Sequence, residues 1–148
     1  MNESNTRRAV PDDTERLLPL IREFCEVDHH PWDEDFVRRA LAPLLEDDRY
    51  GAVWVIGEPP QGYAVVTWSY SLESGGPDCL LDEFYLRERG RGLGSVALAV
   101  ILDDLRRRGM TRIFLETEDH NEPVRRFYRR HGFRDEPSVW MSLDLRDN

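Results

Sequence analysis

The chain has 148 residues, a net charge of −9 and 40% hydrophobic residues, four of them tryptophan. Those figures predict one folded domain spanning residues 1–148 and argue against disorder. The acidic balance argues against a nucleic-acid partner. Cys25 and Cys79 are too few for a disulfide framework, residues 1–10 are polar and read as no signal peptide, and the apolar stretch 96–102 is too short for a bilayer. A cytoplasmic protein with no membrane partner is the expectation.

Taken in chain order, Thr6 to Val10 reads as a short strand. Asp12 or Asp13 can cap a helix running to Val27, with Pro19 marking a kink or late start. Asp33 caps a second helix, to about Leu45, whose apolar face is Phe36, Ala40, Leu41 and Leu44. Strands follow over Ala52–Ile56 and Tyr63–Tyr70, joined by Glu58-Pro59-Pro60-Gln61-Gly62, and then over Cys79–Leu86. A helix opens near Gly94 or Ser95 and stops at Gly109. Arg112–Thr117 reads as a strand, Pro123–His131 as a helix, and Val139–Leu145, alternating apolar and polar, as a closing strand. This order predicts an α/β layering around a mixed sheet, hairpins first and helix crossovers later.

The charge is unevenly divided. Residues 1–86 carry a net −11, residues 87–134 a net +5 and residues 135–148 a net −3. The basic part surrounds Arg89-Gly90-Arg91-Gly92-Leu93-Gly94, which leaves a strand and enters a helix. Glycines permit a tight turn with uncovered N–H groups, and the helix start adds partial positive charge. The combination suits a phosphate or pyrophosphate. All twenty basic residues are arginine, so a P-loop, which needs its lysine, is excluded. A Rossmann turn would follow the first strand and carry a third glycine where Ser95 stands.

Arg89, Gly92 and Gly94 also fit R-x-x-G-x-G. With Leu81-Asp82-Glu83-Phe84-Tyr85-Leu86 before them and Asn121-Glu122-Pro123-Val124-Arg125-Arg126-Phe127-Tyr128 after them, the chain resembles the GNAT N-acetyltransferase superfamily. Within it, the Asn-Glu-Pro…Phe-Tyr segment is most similar to the spermidine/spermine (diamine) acetyltransferases. The resemblance implies a mixed, mostly antiparallel central sheet flanked by about four helices. It implies acetyl-CoA as co-substrate, no metal, a small-molecule amine as acceptor and, as is common in that family, a homodimer. Arg89, Gly90, Arg91, Gly92, Leu93, Gly94 and Ser95 would take the pyrophosphate. The backbone of Phe84, Tyr85 and Leu86 would meet the pantetheine arm, and Asn121 and Pro123 would stand at the cofactor or cap their helix.

Acetyl transfer needs a neutral amine and a protonated leaving thiolate. The resemblance makes Tyr128 the acid. Asp82 and Glu83 are the base candidates; alternation along a strand would turn only one of them to the substrate, and counting back from Leu86 favours Asp82. A second register, Arg87-x-x-Gly90-x-Gly92, also satisfies the glycine pattern and leaves that count open by two positions. Glu26, Asp28, Trp32 and Glu73 could line the acceptor site. Cys25 and His29 have a spacing seen in metal sites, but no second pair completes one. Two other readings stay open here: an acyl-CoA-binding regulatory module without turnover, and a protein acetyltransferase acting on lysines or N-termini.

Overall fold

A computed structural model describes residues 5–146. Its elements are β1 (Arg7–Arg8), a 3-10 turn (Pro11–Asp13), α1 (Thr14–Val27), α2 (Glu34–Glu46), β2 (Gly51–Ile56), β3 (Gly62–Ser71), β4 (Gly76–Leu86), α3 (Leu93–Arg108), β5 (Ile113–Phe114) and α4 (Glu122–Arg130). The sheet runs in the order β1-β2-β3-β4-β5. Its first three pairings are antiparallel and only β4–β5 is parallel, joined by the α3 crossover. This is the mixed, mostly antiparallel α/β architecture expected from the sequence. The described residues form two compact units, one up to Leu115 and the other from Glu116 onward.

In the first unit the sheet is covered on both faces, which is why β2 is buried at every position. On one face, Leu17, Leu20 and Ile21 of α1 and Leu41 and Leu45 of α2 pack with Val53, Val55, Tyr63, Val65 and Tyr85. Trp54, of the opposite parity in β2, sends its indole N–H to Asp104 Oδ2 of α3 at 2.9 Å. That bond sets α3, with buried Ala97, Leu98, Ile101 and Leu105, against the second face. Each fully buried Leu or Ile contributes about 1.5–3 kcal/mol relative to exposure, so these two faces dominate the stability of the unit.

The apolar face of α2 is displaced from the expected one. Leu41 and Leu45 are buried and Val37 and Leu44 pack against them, whereas Phe36 is half exposed and Ala40 is exposed. Asp33 does cap the helix, accepting Phe36 N–H at 3.2 Å. Capping places Phe36 in the first turn, at the solvent side, and the stripe that meets α1 then begins one residue later.

Asp13 stands at the N-cap position of α1, but its side chain makes no cap bond to that helix. Its carboxylate is 1% exposed and accepts from both terminal nitrogens of Arg7 at 2.8 and 2.9 Å, from Arg16 at 2.7 Å and from Val10 N–H at 2.8 Å. It ties β1 to the start of α1. The hydrogen bond from Arg7 is the main reason its carboxyl is lowered to about 2. The folded value lies below the unfolded one, so this stabilisation is complete above the ordinary carboxylate range and is lost as pH falls through about 2. Replacing Asp13 by Ala is expected to cost about 2 kcal/mol near neutrality, the two arginines being half in water and able to recover hydration. Urea denaturation should show the gap between variant and parent narrowing as pH is lowered towards 2, where the parent carboxyl protonates.

Two expected strands are reduced. Arg112–Thr117 contracts to the two residues of β5. Among the described residues, 139–145 forms no strand, and Val139, Met141, Leu143 and Leu145 are each at least 80% exposed. Period-two alternation specifies which face a strand would bury, but a strand forms only where a neighbouring edge accepts its ladder. No pairing to this segment is present among the described residues.

Candidate active site

The first unit gathers its ionisable groups where β4 passes the C-terminal end of α1. Glu83 is half-buried there, and Tyr63 Oη of β3 donates to its Oε1 at 2.6 Å. Tyr63 is fully buried, its ring edge-on to Phe24 at 6.4 Å and tilted against Tyr85 at 6.3 Å. Burial raises the Glu83 carboxyl; the hydrogen bond from Tyr63 pulls it back, the charges of Asp82 and Asp28 raise it, and His30 lowers it. Cys25 of α1 feels the same field, its thiol raised by burial and then by Glu83, Asp28 and Glu26. His30 Nε2 lies 2.8 Å from Asp28 Oδ2 just after α1.

Asp82 and Glu83 do not obey simple alternation. Val65 of β3 pairs with Glu83, and the next residue, Val66, pairs with Leu81. Asp82 is the extra residue of a β-bulge, left without a partner across the ladder and exposed at the surface. The protein around it still withdraws water and raises its carboxyl. Both acids therefore lie in the same neighbourhood, and the charge of Asp82 raises the Glu83 carboxyl further.

The turn is built on two left-handed glycines, but α3 opens at Leu93, so Gly94, expected to stand just before the helix, lies in its first turn. Gly90 has φ +82° and Gly92 φ +78°, and Gly92 caps α3 in the left-handed region. A Cβ at either position would meet nothing within 4 Å, so dihedral strain rather than space demands glycine. The first turn of α3 carries no acidic side chain, which leaves its partial positive charge uncompensated from within the turn. The two candidate arginines differ. Arg87 is committed to Glu23 of α1, its Nε and Nη2 reaching the carboxylate at 2.8–3.1 Å, and Tyr85 Oη donates to the same group at 3.0 Å. Arg89 is exposed at the turn. Arg91 pairs with Glu88 at 3.1 Å. The turn, its free dihedrals and its local charge thus fit the pyrophosphate of a coenzyme.

Of the acceptor candidates, Trp32 packs on the α1–α2 core and lies under Arg22 at 5.9 Å. Glu26 sits in the last turn of α1, 3.9 Å from Arg22. Glu73 is elsewhere: it lies in the β3–β4 turn beyond the pair Ser71–Gly76, six β3 residues from the pair Val65–Glu83, or about 20 Å along the strand. The site does not bring it to Glu83. Tyr63 and Glu23 were not singled out from sequence. Among the described residues, no group of His, Cys, Asp and Glu could hold a metal ion.

In the second unit Asn121 caps α4, its Oδ1 accepting Val124 N–H at 3.3 Å, with Pro123 in the first turn. Tyr128 is half-buried between Phe127 and Phe133, ring centroids 5.1 and 5.3 Å away. Two of the four arginines of α4 are paired within the unit: Arg125 with Glu122 and Asp119, and Arg129 with Glu122 and Asp135. No helix among the described residues is long and apolar enough to cross a membrane.

Half-buried Glu83 on β4 and the glycine turn that opens α3 belong to one α/β unit. The model of the acetyltransferase (GNAT) family matches residues 15–133, across both compact units; the chain belongs to that family and is an acyltransferase acting on amines. An integron cassette protein from the mobile metagenome of Cole Harbour Salt Marsh is similar in structure, with TM-score 0.85 and 28% identity over 97% of this chain and 91% of that one. So is a candidate acetyltransferase from Arthrobacter sp. FB24, with TM-score 0.86 and 29% identity over 98% of both chains. An aminoglycoside acetyltransferase from an uncultured soil metagenomic sample, in complex with sisomicin, shares the fold at TM-score 0.77 and 16% identity over 96% of each chain. No curated protein matches the sequence.

Proposed function

We propose that the chain transfers an acetyl group from acetyl-CoA to the primary amine of a small cationic acceptor, with Glu83 as the base and Tyr128 as the acid. The observation that carries the reading is Glu83, a carboxylate raised by burial and grouped with Asp82 and Asp28. That acidic neighbourhood attracts an ammonium ion and offers an acceptor for its proton. Acetyl-CoA, when bound, supplies the thioester carbonyl. Glu83 takes the proton from the amine as its nitrogen bonds to that carbon, and Tyr128 gives a proton to the sulfur as the C–S bond breaks.

The remaining residues bind. Arg89 and the turn from Gly90 through Arg91, Gly92, Leu93 and Gly94 to Ser95 would hold the pyrophosphate. Arg87 being held by Glu23 supports this register over the alternative. The backbone of Phe84, Tyr85 and Leu86 would meet the pantetheine amides, and Asn121 and Pro123 shape the loop entering α4. Trp32, Glu26 and Asp28 would face the acceptor. A polyamine is the first acceptor to try, because of the Asn121-Glu122-Pro123…Phe127-Tyr128 pattern and the acidic residues. Release of CoA thiol across polyamines, amino acids, aminoglycosides and peptides tests the reading, and silence with the whole panel would remove it.

Gly92→Ala forces a Cβ into a left-handed dihedral at a cost of about 1–2 kcal/mol. The turn should relax away from its binding shape, weakening CoA by about tenfold in calorimetry. Gly75→Ala is the control: its φ is +83°, it too has open space around it, and it lies in the β3–β4 turn. That variant should bind CoA as the parent does.

A further inference from the structure

We propose that Tyr63 is a positioning residue for the transfer, fixing one oxygen of Glu83 from inside the sheet so that the other receives the proton. The inference rests on Glu83 being the base. Tyr63 is 0% exposed and its hydroxyl lies 2.6 Å from Glu83 Oε1. A buried phenol hydroxyl needs a partner, and this one's is the carboxylate. Its ring is held by Phe24 and by Tyr85, its cross-strand neighbour in the β3–β4 ladder. Tyr85, on the same face, directs its own hydroxyl to Glu23. The two tyrosines thus divide the work: one braces the α1–β4 junction and the other braces Glu83.

The groups facing Glu83 come from four elements: Tyr63 from β3, Asp82 from β4, Cys25 from α1, and Asp28 and His30 from the turn after α1. Burial, Asp82 and Asp28 all favour the neutral acid, and only Tyr63 and His30 favour the carboxylate, Tyr63 being the stronger. Without the phenol, Glu83 would be held protonated to higher pH and would turn more freely. A residue that merely filled space would affect neither property.

Tyr63→Phe keeps the ring and removes the hydroxyl. The acid limb of its kcat/KM profile should move to higher pH, with about a tenfold loss on that limb and recovery toward the parent at alkaline pH. The NMR titration of the Glu83 carboxyl, followed without substrate, should move the same way. Replacing tyrosines by 3-fluorotyrosine, a stronger donor of nearly the same size, should move that carboxyl titration in the opposite direction. An unmoved Glu83 titration, or an equal loss at every pH, overturns the proposal. Glu83→Gln separates the two levels: parent-like turnover in that variant removes the base assignment itself, whereas its inactivity with an unmoved titration in Tyr63→Phe removes only the role of Tyr63.

Discussion

Glu83→Gln is expected to lower kcat by about 10²–10⁴-fold while leaving CoA affinity unchanged. An alkyl ammonium has a pKa of about 10, as lysine does, and does not attack a carbonyl until it loses a proton. Glutamine has the same length, and its amide oxygen can still accept the hydroxyl of Tyr63, so the packing of Phe24, Tyr63 and Tyr85 should survive. What disappears is the proton acceptor. Asp82→Asn is the comparison. Asp82 sits outside the ladder and in solvent, so its loss should raise KM for a cationic acceptor with a smaller effect on kcat. The reverse ranking, with Asp82→Asn the slower enzyme, would exchange the two assignments. Because burial holds the parent Glu83 carboxyl above its ordinary range, the ionised base is lost as pH falls through that raised value. Activity should fall on the acid side earlier than for an ordinary glutamate, and this acid limb should be missing from the residual rate of Glu83→Gln.

What the sequence displays of this site is what local chemistry writes. The glycine turn is legible because left-handed dihedrals at Gly90 and Gly92 call for glycine whatever surrounds them. The Asp33 and Asn121 caps are legible because the partner N–H lies three residues away. The unread features depend on pairing across distance. The bulge at Asp82 exists only in the register of β4 against β3, so a rule of alternation applied to β4 alone forced a choice between two acids that share one neighbourhood. Tyr63 lies in an apolar strand and reads as core. Its tie to Glu83 spans twenty positions and follows from the hairpin. The partner that occupies Arg87 is 64 residues away, on α1. The segment 139–145 shows the converse: its alternation is strong, yet alternation describes a face and supplies no neighbour.

Tyr128→Phe is expected to lower kcat by a comparable factor, about 10²–10⁴-fold, with KM for acetyl-CoA little changed. The ring stays between Phe127 and Phe133, so α4 should keep its packing and only the hydroxyl is removed. A departing CoA thiolate resembles a cysteine thiolate, with a pKa of about 8.5, and leaves more readily when protonated. This gives a test that separates the acid from the base. An acetyl donor bearing an aryl thiol has a leaving group stable as the anion and needs no proton. It should restore turnover in Tyr128→Phe relative to the parent, but not in Glu83→Gln, where the amine still holds its proton. Equal rescue of both variants would mean that leaving-group departure limits each of them, and that Glu83 acts after the amine has attacked. No rescue of Tyr128→Phe, or an unchanged kcat with acetyl-CoA, would return Tyr128 to the role its aromatic neighbours alone would give it, packing α4 within its own unit.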